Sequence, residues 1–342
     1  MPPTYAELRC HTNFSFLHGA SSADDRVERA GELGLSGLAV TDHDGLYGVV
    51  RFTTAAQEAG LRPILGVEIE LVDPAVADPD GVVVPARRGP RRGRSVVVPR
   101  LEPAEGLPAR PRPERARLPG HRRTVKEDLR GIGTRQRGPH LVLLARDAAG
   151  YRSLCRLVSR ANLQGTKRVP RFEHALLAEH AEGVVALSGG RDGEIGRRLL
   201  VGDREGAKAA AERFARLFGR GDSAAGAGFF LELTHHLLPD DDWLVRETAA
   251  LAAELGLPVV VTNDVHYSKP GDRELHDVLT AIAHGRTLDT LADLRRPDAE
   301  SYLKSEAELA AMPPGEPSFE TVDPRTSAAW AEGLRTAGEL AG

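Results

Sequence analysis

Four short segments carry side chains able to ligate metal ions or move protons: Arg9-Cys10-His11-Thr12-Asn13-Phe14-Ser15, Thr41-Asp42-His43-Asp44-Gly45, Gly66-Val67-Glu68 and Thr262-Asn263-Asp264-Val265-His266-Tyr267. Each lies at or just beyond the end of an apolar run of strand length, so each would deliver its polar groups to a strand end. Asp264 and His266 are two residues apart, as are Arg9 and His11, and on an extended backbone such pairs project to the same side. Neutral imidazoles with ionised carboxylates suit zinc, manganese or iron, which accept mixed nitrogen and oxygen ligands, better than calcium. A lone strand-end histidine is more often a hydrogen-bonded structural residue than a ligand, and Asp42 or Asp264 alone could merely cap a following helix. Four such segments at successive strand ends are better explained by one pocket for divalent ions and phosphate.

The elements that must position these groups alternate in character. Strands are predicted near Tyr5 to Cys10, Gly37 to Thr41, Pro63 to Glu70, His140 to Ala145, Gly183 to Ser188, Phe229 to Thr234 and Pro258 to Thr262. Helical periodicity falls between and after them, over Ser22 to Leu33, Tyr47 to Ala59, Gly150 to Asn162, Ala207 to Phe218, Asp241 to Leu255, His276 to His284 and Ser327 to Leu340. Ser22 is a candidate N-cap, and Gly34, Gly60 and Gly256 stand where left-handed C-caps would end helices. The pattern is that of a βαβ protein with a mostly parallel sheet and repeated crossovers. Seven strand and helix units suit a barrel, whose functional face is the C-terminal end of its strands; a doubly wound sheet is the alternative.

One stretch breaks this rhythm. Asp73 to Gly138 holds fifteen arginines and many prolines and glycines, and reads as a largely disordered insertion. It could be a solvated loop or a charged arm for nucleic acid, although no aromatic residues are interleaved to stack on bases. The chain divides on this reading into 1–72 and 139–287, two parts of one barrel around the 73–138 insertion, with 288–342 as the start of a linker.

Composition excludes several classes. With 342 residues, 41% of them hydrophobic, the chain can bury a core, and a formal net charge of -4 argues neither for nor against nucleic acid. Cys10 and Cys155 form no CxxC pair, so neither a disulfide framework nor a zinc ribbon is suggested, and a reducing cytoplasm fits best. No apolar run approaches the roughly 18 residues of a membrane span. His235 and His236 follow a predicted strand but read as surface or supporting residues.

The order of Cys10-His11-Thr12-Asn13-Phe14-Ser15-Phe16-Leu17, Thr41-Asp42-His43, Gly66-Val67-Glu68, His140-Leu141-Val142-Leu143-Leu144-Ala145 and Thr262-Asn263-Asp264-Val265-His266-Tyr267 resembles the polymerase and histidinol phosphatase (PHP) domain. More narrowly it resembles the version at the front of bacterial C-family DNA polymerases, the polymerase III alpha subunit and its error-prone relatives. Gly150-Tyr151 with Leu154 to Ser159, and His276-Asp277-Val278-Leu279, belong to the same resemblance.

The resemblance implies a distorted seven-stranded β/α, TIM-like barrel. It also implies up to three bound metal ions and hydrolysis of phosphoesters, including 3′ ends of DNA, by a metal-activated water. His11, His43, Glu68, Asp264 and His266 carry over as metal ligands, and His140 with them, although it falls at a strand start. Three positions depart from the family pattern. Arg9 stands where a histidine is usual, His18 where a carboxylate is usual, and Gly190 where a cysteine or histidine is common. An arginine cannot bind a metal, and could instead take one cation's place by pairing with Glu68 or a substrate phosphate.

The function implied is the N-terminal region of a nucleotidyltransferase in DNA replication, repair or damage-tolerant synthesis, with DNA and other replication or translesion subunits as partners. Magnesium would serve a polymerase region lying beyond Gly342. The competing readings are a free-standing phosphoesterase for small monoesters and a catalytically inactive structural or nucleic-acid-binding module.

Overall fold

Seven strands form one curled sheet in sequence order: β1 (Ala6–Glu7), β2 (Gly37–Val40), β3 (Arg62–Glu70), β4 (His140–Ala145), β5 (Val184–Leu187), β6 (Gly228–Leu233) and β7 (Val259–Val261). The computed structural model describes residues 5–72, 138–166, 169–222, 226–238, 240–291, 294–296, 299–312 and 323–342. Apart from Gly138, the predicted insertion at 73–138 lies outside the described residues. β2, β4, β5, β6 and β7 are buried along nearly their whole length, because one face meets the surrounding helices and the other the barrel interior. Their near-continuous runs of Val, Leu, Ala and Phe follow from burial on both faces.

The sheet is mostly parallel, as expected, with one exception. β1, β2 and β3 are parallel, as are β5, β6 and β7, but β4 runs antiparallel to both its neighbours, pairing Glu70 with His140 and Val142 with Leu187. An antiparallel neighbour needs no crossover helix. The start of β4 therefore sits at the edge of the sheet where the parallel strands end.

The ring closes beyond the named strands. The extended chain after β1 meets the chain after β7 at a parallel bridge between Cys10 and Val265, with His11 N donating to Val265 O at 2.8 Å and Val265 N to Arg9 O at 3.0 Å. This joins the first and last of the four polar strand-end segments by backbone hydrogen bonds.

The helices are α1 (Ala23–Glu32), α2 (Val49–Glu58), α3 (Ala148–Gln164), α4 (His174–Glu179), α5 (Glu194–Leu200), α6 (Arg204–Phe218), α7 (Asp241–Leu255), α8 (Arg273–His284), α9 (Glu306–Ala310) and α10 (Pro324–Ala341). α4, α5 and α9 were not anticipated, being too short to show a helical period. α1 starts on a capping box in which Ser22 Oγ accepts from Asp25 N and Asp25 Oδ2 accepts from Ser22 N at 2.8 Å. Gly34, Gly60 and Gly256 all have positive φ, the left-handed geometry that ends a helix most cheaply at glycine. α10 lies against β7, where a side chain at Gly333 would collide with Val261, and it buries Trp330, Leu334, Ala337 and Ala341. Among the described residues no helix is long and apolar enough to cross a membrane.

Candidate metal centre

The loop after β1 is held from below and from the side. The guanidinium of Arg26, fully buried on α1, donates from Nη2 to His11 O at 2.7 Å and fixes the backbone of that residue. Asp42 receives Thr12 N at 2.7 Å and Ser15 Oγ at 2.6 Å on Oδ1, and Thr12 Oγ1 at 2.8 Å on Oδ2. Asp42 therefore clamps the first loop onto the second. Ser15 Oγ in turn accepts from His43 N at 3.1 Å.

On this frame the predicted residues converge. His11 is stacked between two other imidazoles, with its ring centroid 4.3 Å from that of His43 and 4.5 Å from that of His266. Glu68, inside β3, faces two of them: its Oε2 is 3.1 Å from His11 Nε2 and its Oε1 is 3.9 Å from His43 Nδ1. His140 Nδ1 makes a short contact with Glu68 Oε1, so a strand start reaches the same pocket because β4 is antiparallel. His18 packs edge-on to His43 at 5.1 Å between centroids. Asp264 Oδ1 is 3.5 Å from His11 Nε2 and 3.2 Å from His266 Nε2. Asp264 has φ 44°, so it meets His266 through a left-handed kink and not through the extended alternation that its spacing suggested.

Arg9 shares the pocket with these groups. Its Nε and Nη2 donate to the two oxygens of Glu68 at 2.7 and 2.8 Å, and Nε also lies 3.2 Å from Asp264 Oδ1. Burial would raise the Glu68 and Asp264 carboxyls, but Arg9 foremost, with His11 and His43 around Glu68 and His266 and Arg296 around Asp264, holds both well below the usual carboxylate range. Burial likewise opposes a charge on His11, yet Glu68 and Asp264 raise its imidazole to about 9.

Three contributors escaped the sequence reading. Glu232 on β6 is fully buried, approaches Arg9 Nη1 at 3.5 Å, accepts from Thr262 Oγ1 and is raised above the usual carboxylate range, chiefly by burial. A glutamate inside Phe229-Phe230-Leu231-Glu232-Leu233 is a charge in an otherwise apolar strand, a signal that could have been noticed. Glu7 inside β1 receives Arg9 N at 2.9 Å and Asn263 N at 3.0 Å, and is a similar anomaly. Arg296 reaches in from a loop after α8, with Nη2 on His266 Nε2 and 3.4 Å from Asp264 Oδ2; nothing in its local sequence marks it. His236 supports the site by donating from Nε2 to Asn263 O at 2.8 Å, next to Asp264, while His235 is buried against Asp242 at 2.9 Å.

The donor types suit a divalent ion, and two triads, His11 with Asp264 and His266, and His11 with His43 and Glu68, have ligand atoms within 4.8 Å of one another. Both triads need His11, and a neutral imidazole offers one lone pair, so the two cannot be filled together. Both oxygens of Glu68 already receive Arg9, Asp264 lies between Arg9 and Arg296, and His266 Nε2 receives Arg296. As arranged, these residues do not fit a cluster of metal ions.

Comparison with known proteins adds the following. The PHP domain family model matches residues 7–236. The error-prone DNA polymerase of Nocardia farcinica is 37% identical over 325 residues, 90% of this chain and 26% of that protein. The DNA polymerase III subunit alpha of Deinococcus radiodurans is 34% identical over 330 residues, 94% of this chain and 20% of that protein. The chain thus spans about a quarter or less of the length of these relatives. Among solved structures, a candidate metal-dependent phosphoesterase from Bifidobacterium adolescentis is 19% identical, with a TM-score of 0.37 over 78% of this chain and 89% of that one.

Proposed function

The chain belongs to the PHP domain family, and from that premise we propose that it is the N-terminal PHP region of a bacterial C-family DNA polymerase, of the polymerase III alpha or error-prone type. The observation that carries this reading is the reach of the likeness to two such polymerases. It extends over 90% and 94% of the chain, whereas the family model stops at residue 236. The division at residues 73, 139 and 288, the partnership with DNA and other replication or translesion subunits, the magnesium-dependent nucleotidyl transfer and the cytoplasmic location all belong to this proposal.

Within such a polymerase the pocket is proposed to serve structure before hydrolysis. His11, His43, Glu68, His140, Asp264 and His266 are the residues that would ligate zinc, manganese or iron, and such an ion would supply a hydroxide near pH 7. Arg9 and Arg296, seated on these donors, favour an inactive module over an intact phosphoesterase or 3′-5′ exonuclease.

Two measurements test the reading. Immunodetection of the native polypeptide should find a protein several times the size of this chain, whose purified form extends a primed template with magnesium; a native protein of 342 residues overturns the polymerase assignment. The purified chain should not degrade single-stranded DNA with manganese or zinc. Cleavage abolished by His266→Ala would show a working hydrolase instead.

A further inference from the structure

Three carboxylates converge on one guanidinium. Arg9 contacts Glu68 through Nε and Nη2, Asp264 through Nε at 3.2 Å and Glu232 through Nη1 at 3.5 Å, and its side chain is 3% exposed. The imidazole of His11 faces two of the same oxygens, Glu68 Oε2 at 3.1 Å and Asp264 Oδ1 at 3.5 Å, yet among the described residues its Nε2 has no hydrogen-bond partner of good geometry. Arg9 holds those oxygens in hydrogen-bonding directions, which leaves His11 close but unaligned.

A guanidinium is far larger than a metal ion, and the fork needs room. Its Nη1 lies beside Gly190, which has φ 54°. A Cβ at that position would lie 3.3 Å from Arg9 Nη1 and 3.0 Å from Thr234 Oγ1, tighter than ordinary van der Waals contact. On the outer side Arg296, anchored by Nη1 on Ser301 Oγ at 2.8 Å, covers His266 and the far oxygen of Asp264.

We propose that Arg9 is a permanent, covalently tethered counter-cation of this pocket, that the side-chain-free Gly190 supplies the space its guanidinium requires, and that this pair lets Glu68, Asp264 and Glu232 pack without a divalent ion. The two residues act as a unit: a larger side chain at position 190 would crowd both the guanidinium and Thr234, and the bare glycine would leave space unfilled beside a smaller cation. Direct readout follows because a permanent cation makes the fold indifferent to chelation, and because coupling between two touching residues appears as non-additivity of their substitutions. The inference concerns the pocket alone and stands whether or not the chain is part of a polymerase.

The test uses the purified 342-residue chain, its bound metal measured by elemental analysis, and melting temperatures of wild type, Gly190→Ala, Arg9→His, Arg9→Lys and the two double variants, each in EDTA and in excess manganese or zinc. Wild type should carry no stoichiometric metal and melt at one temperature in all three conditions. Arg9→His should melt lower in EDTA and recover with metal. Lysine keeps the charge without the fork, so Arg9→Lys remains folded enough to report even if Arg9→His does not. Gly190→Ala should lower the melting temperature markedly in wild type and much less in the Arg9→Lys background; strain from the positive φ is common to both and cancels. A wild-type chain that holds a metal ion and loses stability in EDTA overturns the proposal. So does a Gly190→Ala penalty that is equal in the wild-type and Arg9→Lys backgrounds.

Discussion

Arg9 and Glu68, 59 residues apart in sequence, meet as a two-point ion pair: Nε donates to Oε2 at 2.7 Å and Nη2 to Oε1 at 2.8 Å, with both side chains almost fully removed from solvent. The planar fork of the guanidinium matches the carboxylate, and in a dry pocket such a pair is costly to break on one side only.

Glu68→Ala leaves the Arg9 charge facing only Asp264 and Glu232 at longer range, and should destabilise the protein by about 3–5 kcal/mol, the usual cost of removing one partner of a buried ion pair. Equilibrium unfolding in urea measures this directly. A loss comparable to that of an exposed ion pair would mean that Arg9 finds water when its partner is removed.

Glu7 should make stability depend on pH. Burial pushes its carboxyl from 4.5 up to about 7, against the hydrogen bonds it receives from Arg9 N, Tyr5 Oη and Asn263 N. A carboxyl raised on folding binds its proton more tightly in the native state, so its contribution is fully present below about pH 4.5 and is lost as pH rises through about 7, in total about 3 kcal/mol. Glu7→Gln should flatten that part of a stability profile recorded between pH 5 and pH 8; an unchanged slope would assign it to another group.

Ser22→Ala removes one half of the capping box that starts α1 and leaves Asp25 N without its acceptor. The expected loss is about 1 kcal/mol, seen as a lower urea midpoint with an unchanged slope. Because α1 carries Arg26 under His11, the His11 ring resonance should broaden or shift in the same variant.

Arg296→Ala should raise the pKa of His266. Burial and then Arg296 hold that imidazole well below its usual range, with His11 adding to them, while Asp264 pulls in the other direction, so removing the guanidinium leaves burial and His11 opposed by the carboxylate. An NMR titration of the His266 ring reads the shift. No movement would place Arg296 elsewhere in solution.

Much of the architecture follows from local pattern. Apolar runs and their glycine and serine punctuation locate all seven strands and seven of the helices to within a few residues, since burial on both faces and capping are written in neighbouring positions. The ligand-type residues His11, His43, Glu68, Asp264 and His266 are legible for the same reason: polar side chains at the ends of apolar runs stand out. The short helices α4, α5 and α9 leave no comparable trace.

What the sequence by itself determined is thus the set of strands, the side chains at their ends and the family they belong to. What only the tertiary structure decided is how the charges are satisfied. Arg9 reads as a missing ligand until Glu68, Asp264 and Glu232 are seen around it, up to 255 residues away, and Gly190 reads as another loss until the guanidinium is seen beside it. His140 joins the pocket because β4 runs antiparallel, and Arg296 because a loop folds back over His266. The physical reason is common to all four: burial periodicity is a property of neighbours along the chain, whereas electrostatic compensation in a dry pocket is settled by whichever charges the closed sheet brings within a few ångströms.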